Sequence, residues 1–98
     1  MTHHLYKLIP PRPTFALDLT DDEAAIMGEH AAYWSGLVDA GHALAFGPVL
    51  DPSGSWGLAL VEAPDEETVR RFGAADPAVT SGLARFDVFP MPMTVVRS

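Results

Sequence analysis

Residues 56–63, WGLALVEA, are apolar at nearly every position. A strand with one wet face alternates apolar and polar residues; an almost unbroken apolar run marks a strand covered on both faces. Such a segment needs a layer of structure on each side. The chain has 98 residues, enough for one compact domain over 1–98 with a single modest core. One face of the sheet is therefore expected to be covered by the chain itself, and the other by a second copy.

Local signals on either side of this run supply the remaining elements. Residues 4–9 (HLYKLI) read as a first strand that stops at Pro10-Pro11, because proline cannot continue a sheet ladder. The segment 10–15 (PPRPTF) is too rich in proline for a helix and is expected to run extended over the surface. Thr20 and Glu23 have the spacing of a capping box, which starts a long helix running to about residue 40, and Gly41 supplies its left-handed stop. HALAFGPV (42–49) reads as a strand joined to 56–63 by the Asp51-Pro52-Ser53-Gly54 turn. Asp65, Glu66 and Glu67 open a second helix and Arg70 and Arg71 follow, in accord with the helix dipole. Asp76-Pro77 starts a short helical turn to about Gly82, and 84–90 (ARFDVFP) is the last strand. The order is βαββαβ, the ferredoxin-like α+β arrangement, with both helices on one face of an antiparallel sheet and the other face left for dimerisation.

Composition removes several classes of function. A formal charge of −7, with only six Lys and Arg scattered between Lys7 and Arg97, disfavours nucleic acid as a partner, since phosphate backbones need a clustered basic face. No apolar run approaches the roughly 20 residues needed to span a bilayer, and no secretion signal precedes the first strand, so a cytoplasmic protein without a membrane role is expected. The absence of cysteine excludes disulfides, thiolate metal sites and cysteine nucleophiles. Chemistry then falls to His, carboxylates, Arg and hydroxyls.

His30 lies in line with Ile26, Met27, Tyr33 or Trp34, Leu37 and Val38 on the apolar stripe of the long helix, which turns its ring inward. A lone histidine there serves either as a core residue satisfied by its neighbours or, if a carboxylate orients the ring, as a general base near neutral pH. Asp76 is the best-placed partner, because two helices side by side on one sheet face bring the middle of the first towards the end of the second. Asp76 also suits a helix cap, and the two roles coexist. Arg12, in its proline-braced loop beside Phe15, reads as a solvated arginine or as a forked donor to a carboxylate or phenolate. Tyr33, Trp34, Phe46, Trp56, Met91 and Met93 suit core or interface packing, and Tyr33 and Trp34, as helical neighbours of His30, would bound a pocket beside it. His42 matches the dipole at a helix end, and His3 and His4 lack any downstream metal-ligand spacing, so no metal site is expected. Gly-rich phosphate loops, G-x-S-x-G and HExxH are absent from the sequence.

The stretches LIPPRPTF, T-x-x-E followed by EHAAYW, the Gly41–Gly54 segment with GPV-x-DPSG, DPAVTSGL and the final PMP, in this order and spacing, closely resemble the YCII-related (YciI-like) family over nearly the whole chain. The resemblance implies a dimeric α+β barrel in which two ferredoxin-like subunits pack sheet against sheet. It also implies a His and Asp pair in a pocket proposed as an active site, matching His30 in EHAAYW and Asp76 in the DPAV turn. With it, the leading expectation is an enzyme that needs no cofactor. His30 moves a proton on a small carbonyl-bearing or phenolic compound in a lyase or isomerase type of reaction, Asp76 fixes the imidazole, and Arg12 or backbone donors hold the anion. A non-catalytic dimeric module that binds a small molecule, and a purely structural dimer unit, are the alternatives.

Overall fold

A computed structural model describes residues 1–97. The chain runs through β1 (Thr2–Ile9), α1 (Asp21–Asp39), β2 (Ala43–Val49), β3 (Trp56–Ala63), α2 (Glu66–Ala75), α3 (Pro77–Thr80) and β4 (Arg85–Pro90), with a 3₁₀ turn at Phe15–Leu17. The strands form one four-stranded antiparallel sheet in the order β2-β3-β1-β4, an α+β fold with β3 and β1 at its centre. No helix among the described residues is long and apolar enough to cross a membrane.

Element boundaries follow local chemistry. The Thr20 hydroxyl accepts from the Glu23 amide at 3.1 Å and the Glu23 carboxylate accepts from the Thr20 amide at 3.0 Å, which satisfies two otherwise free donors at the start of α1. Gly41 takes φ 83° just beyond α1, a conformation that costs a residue with a Cβ. In the β2–β3 turn the Gly54 amide donates to the Asp51 carbonyl at 2.9 Å and the Ser53 amide to the Asp51 carboxylate at 2.8 Å. β1 begins at Thr2, two residues earlier than its apolar pattern indicates, because Thr2 and His3 still find partners in Ala63 and Glu62.

Register sorts the side chains between faces. Tyr6 pairs with Ala59 on one side and Val88 on the other, placing all three beneath the helices, where Trp34, Val69 and Ala78 complete the core. α2 approaches the sheet closely at Gly73, where an added Cβ would lie 2.7 Å from Cε2 of Phe86 and 2.8 Å from Cε1 of Tyr6. On the opposite face Leu5 pairs with Leu60 and Phe89, and Phe89 keeps 48% of its surface exposed. The double-sided apolar pattern of β3 thus divides into buried Ala59, Val61 and Ala63 under the helices and half-buried Leu58 and Leu60 on the side the chain leaves uncovered.

The segment after Pro10-Pro11 differs from the extended surface run its prolines indicate. It folds into the 3₁₀ turn and buries Phe15. Amides of Phe15 and Leu17 donate to the carbonyls of Arg12 and Thr14 at 3.2 and 2.8 Å, so the backbone closes on itself once Pro13 has passed. Burial of the Phe15 ring rewards that turn.

Candidate active site

α2 ends where Asp76 leaves helical geometry, with φ −62° and ψ 126°, and the same residue caps α3, its Oδ1 accepting from the Ala78 amide at 2.9 Å while Pro77 occupies the first helical position. The cap accounts for one lone pair. Oδ2 accepts from the Tyr6 hydroxyl of β1 at 2.8 Å and from the Trp34 indole Nε1 of α1 at 2.9 Å. His30 Nδ1 bridges both oxygens, 2.8 Å from Oδ2 and 2.9 Å from Oδ1. Asp76 has 0% of its surface exposed, and a carboxylate so placed is tolerable only with a full set of donors. Burial pushes its carboxyl upward, but the bonds from His30, Trp34 and the Ala78 amide outweigh that and leave it below the ordinary aspartate value. Tyr6 responds in the opposite sense, since burial first and then the Asp76 charge hold its hydroxyl protonated.

An ionised carboxylate only accepts, so Nδ1 of His30 carries the hydrogen in the pair and the neutral ring keeps its lone pair on Nε2. The His30 side chain is 13% exposed, and its ring borders a cleft of about 300 Å³ between α1, the 3₁₀ turn and the β2–β3 hairpin. Phe15, Leu19, Met27, Phe46 and Pro48 form much of the wall, and among the described residues His30 is the one titratable side chain that lines it. Nε2 has no hydrogen-bond partner among the described residues, while the Phe46 ring stands edge-on to the imidazole with centroids 6.5 Å apart. The arrangement is that of an oriented imidazole with one nitrogen free to accept a proton from whatever occupies the cleft.

Of the residues singled out in the sequence, His30, Asp76 and Trp34 come together. Trp34 stands behind the imidazole, buried against Tyr6 with ring centroids 4.7 Å apart. Tyr33 turns away, its hydroxyl donating to the Phe72 carbonyl at 2.7 Å, and it does not line the cleft. Nor does Arg12. Its Nε and Nη2 donate to Asp18 (carboxylate 2.8 Å, carbonyl 2.9 Å), and Nη1 and Nη2 grip the Glu23 carboxylate at 2.9 and 2.7 Å. The Arg12 bonds, helped by the Thr20 amide, hold Glu23 down at about 2. Arg12 therefore ties the loop that carries Phe15 to the start of α1. His3 pairs with Glu62 at 3.1 Å, His4 is buried, and His42 packs against Phe72. Among the described residues no three His, Asp or Glu side chains gather as a metal-binding group.

Tyr6 and the aromatic wall formed by Phe15 and Phe46 were not singled out as site residues by their sequence context. The alternation of β1 places Tyr6 on the same face as His4 and Leu8, which signals burial; its meeting with Asp76 depends on where α2 happens to end.

A four-stranded antiparallel sheet with helices on one face and a histidine–carboxylate pair at the edge of an apolar cleft defines a small α+β protein with a candidate ligand site. The model of the YCII-related domain matches residues 6–92, and the chain belongs to that family. Among solved structures it is similar in fold to 5-chloro-2-hydroxyhydroquinone dehydrochlorinase from Burkholderia phenoliruptrix AC1100, in complex with 2,5-dihydroxybenzoquinone. The TM-score is 0.62 at 19% identity, covering 87% of this chain and 89% of that one. No curated protein matches the chain.

Proposed function

We propose that this protein is a cofactor-independent enzyme that moves a proton on a small organic metabolite, in a lyase or isomerase type of reaction, with His30 as the catalytic base and acid. The observation that carries this reading is the bond from His30 Nδ1 to Asp76, which leaves Nε2 as the ring nitrogen facing the cleft. In the proposed cycle Nε2 takes a proton from the bound compound, and the imidazolium that forms is stabilised by the Asp76 carboxylate behind it. The proton is then returned to another atom of the same molecule, or to a departing group. Asp76 is a positioning residue in this scheme, Tyr6 and Trp34 orient it, and Arg12 serves the site by holding the Phe15 wall. Membership of the YCII-related family and a fold relative that is a dehydrochlorinase with a quinone bound support a site for small ring compounds. The same reading takes the subunit as ferredoxin-like and pairs two of them through the uncovered sheet face into an α+β barrel, burying Leu5, Leu58, Leu60 and Phe89.

The test is the titration of the His30 ring followed by NMR in the wild type and in Asp76→Asn. Removal of the carboxylate charge should change the ring's titration curve and weaken its preference for hydrogen on Nδ1, read from the ring nitrogen shifts. A ring that titrates identically in both proteins rules the pair out.

A further inference from the structure

We propose that the His30 cleft is selective for uncharged, hydroxyl-bearing single-ring compounds and discriminates against carboxylates and ammonium groups of the same size; this rests on the reading of Nε2 as a proton acceptor. Size sets the first limit. A cleft of about 300 Å³ stands at the small end of the range for ligand pockets, roughly 300–1,000 Å³, enough for one ring and too little for a nucleotide. Shape sets the second. Phe15 and Phe46 reach the cleft from the 3₁₀ turn and from β2, and aromatic rings from separate elements favour a flat ring between them.

Charge sets the third limit. Among the described residues no Lys or Arg lines the cleft. Arg12, the cation of the adjoining loop, is committed to Glu23 and Asp18 by bonds of 2.7 to 2.9 Å. A carboxylate entering would lose its hydration without meeting a counter-charge, and would approach the negative charge of Asp76. An ammonium would feel that charge favourably but could not reach it, because Asp76 has no exposed surface and its oxygens already accept from Tyr6, His30, Trp34 and the Ala78 amide. A neutral hydroxyl fits what is present, donating to Nε2 and laying its ring on the apolar wall. When its proton crosses, the ligand O–H bond breaks and an Nε2–H bond forms. The resulting ring oxyanion then faces an imidazolium that Asp76 already balances, so no net charge enters or leaves.

The probes are phenol, benzoate and benzylamine, titrated separately into the intact isotope-labelled protein at neutral pH, with the His30 ring and the backbone amides of Phe46 and Gly57 followed by NMR. Phenol should shift all three, with an apparent affinity roughly tenfold or more above that of either ion, the order of penalty expected for stripping water from an unpaired charge. Equal or tighter binding of benzoate or benzylamine in the cleft overturns the ligand class while leaving the His30–Asp76 pair standing. Phenol shifts confined to residues outside the cleft overturn it as well. An unaltered His30 titration in Asp76→Asn removes the pair instead, without bearing on which probe the cleft prefers.

Discussion

The hydroxyl of Tyr6 and the indole nitrogen of Trp34 converge on one oxygen, Oδ2 of Asp76, at 2.8 and 2.9 Å, with their rings packed at a centroid distance of 4.7 Å. β1, α1 and the α2–α3 junction are thereby joined through a single buried carboxylate. Asp76 is held by the scaffold from two sides, and it in turn aims His30. The acceptor that orients His30 and a structural keystone are the same atom group, which shapes what mutation does here.

Asp76→Ala should be among the most destabilising single changes in the chain. It leaves Tyr6, Trp34, His30 and the Ala78 amide without their acceptor in a buried place, and a loss of about 3–5 kcal/mol in urea denaturation is expected. Asp76→Asn retains one oxygen and the side-chain volume, so a smaller loss is expected.

Tyr6→Phe isolates one donor. The ring still packs on Trp34 and Phe86, but Asp76 loses a hydrogen bond to its ionised form. A cost of about 1–2 kcal/mol is expected, together with an upward movement of the Asp76 carboxyl titration in carbon-detected NMR.

Acid should weaken the fold through Asp76. Its carboxyl titrates below the ordinary value in the folded chain, so the unfolded chain binds that proton more readily. The stabilisation is therefore complete above the ordinary aspartate value, about 3.9, and is lost as pH falls below it through the folded value. Unfolding free energy measured across that acid range should have a shallower slope in Asp76→Asn than in the wild type.

Gly73→Ala should destabilise although it replaces glycine in a helix. The new methyl would fall within 2.7–2.8 Å of the Phe86 and Tyr6 rings, and both rings are pinned between α2 and the sheet. Overpacking of this kind costs about 1–3 kcal/mol, against which the helix gains roughly 1 kcal/mol at most. Calorimetry should give a lower Tm for the variant, and Gly73→Val should lower it further.

Arg12→Lys tests whether the loop is held by a fork or merely by charge. A lysine cannot span Asp18 and both oxygens of Glu23 as the guanidinium does. Amides of residues 14–19 should exchange hydrogen faster while β1 and β3 remain protected, and probe binding at the Phe15 wall should weaken. Unchanged exchange in the loop would mean that the turn holds itself.

What the sequence by itself determined is what neighbouring residues decide among themselves. Thr20 with Glu23, Gly41, Asp51 to Gly54 and Asp76-Pro77 place the ends of helices and turns, because each acts over a few residues through a backbone hydrogen bond or a permitted φ. The spacing of α1 likewise sets His30 on its apolar stripe. Tertiary structure alone decided what those residues meet. His30 finds Asp76 across 46 positions and Tyr6 finds it across 70, distances closed only by the packing of two helices on a sheet. The same packing gives Phe15 a wall to complete, which turns a proline-rich run inward, and it sets Arg12 beside Glu23 and Asp18, two acids whose charge it answers. Local hydrogen bonds carry no information about such meetings; the angle and depth at which α1 and α2 settle on β1 and β3 do.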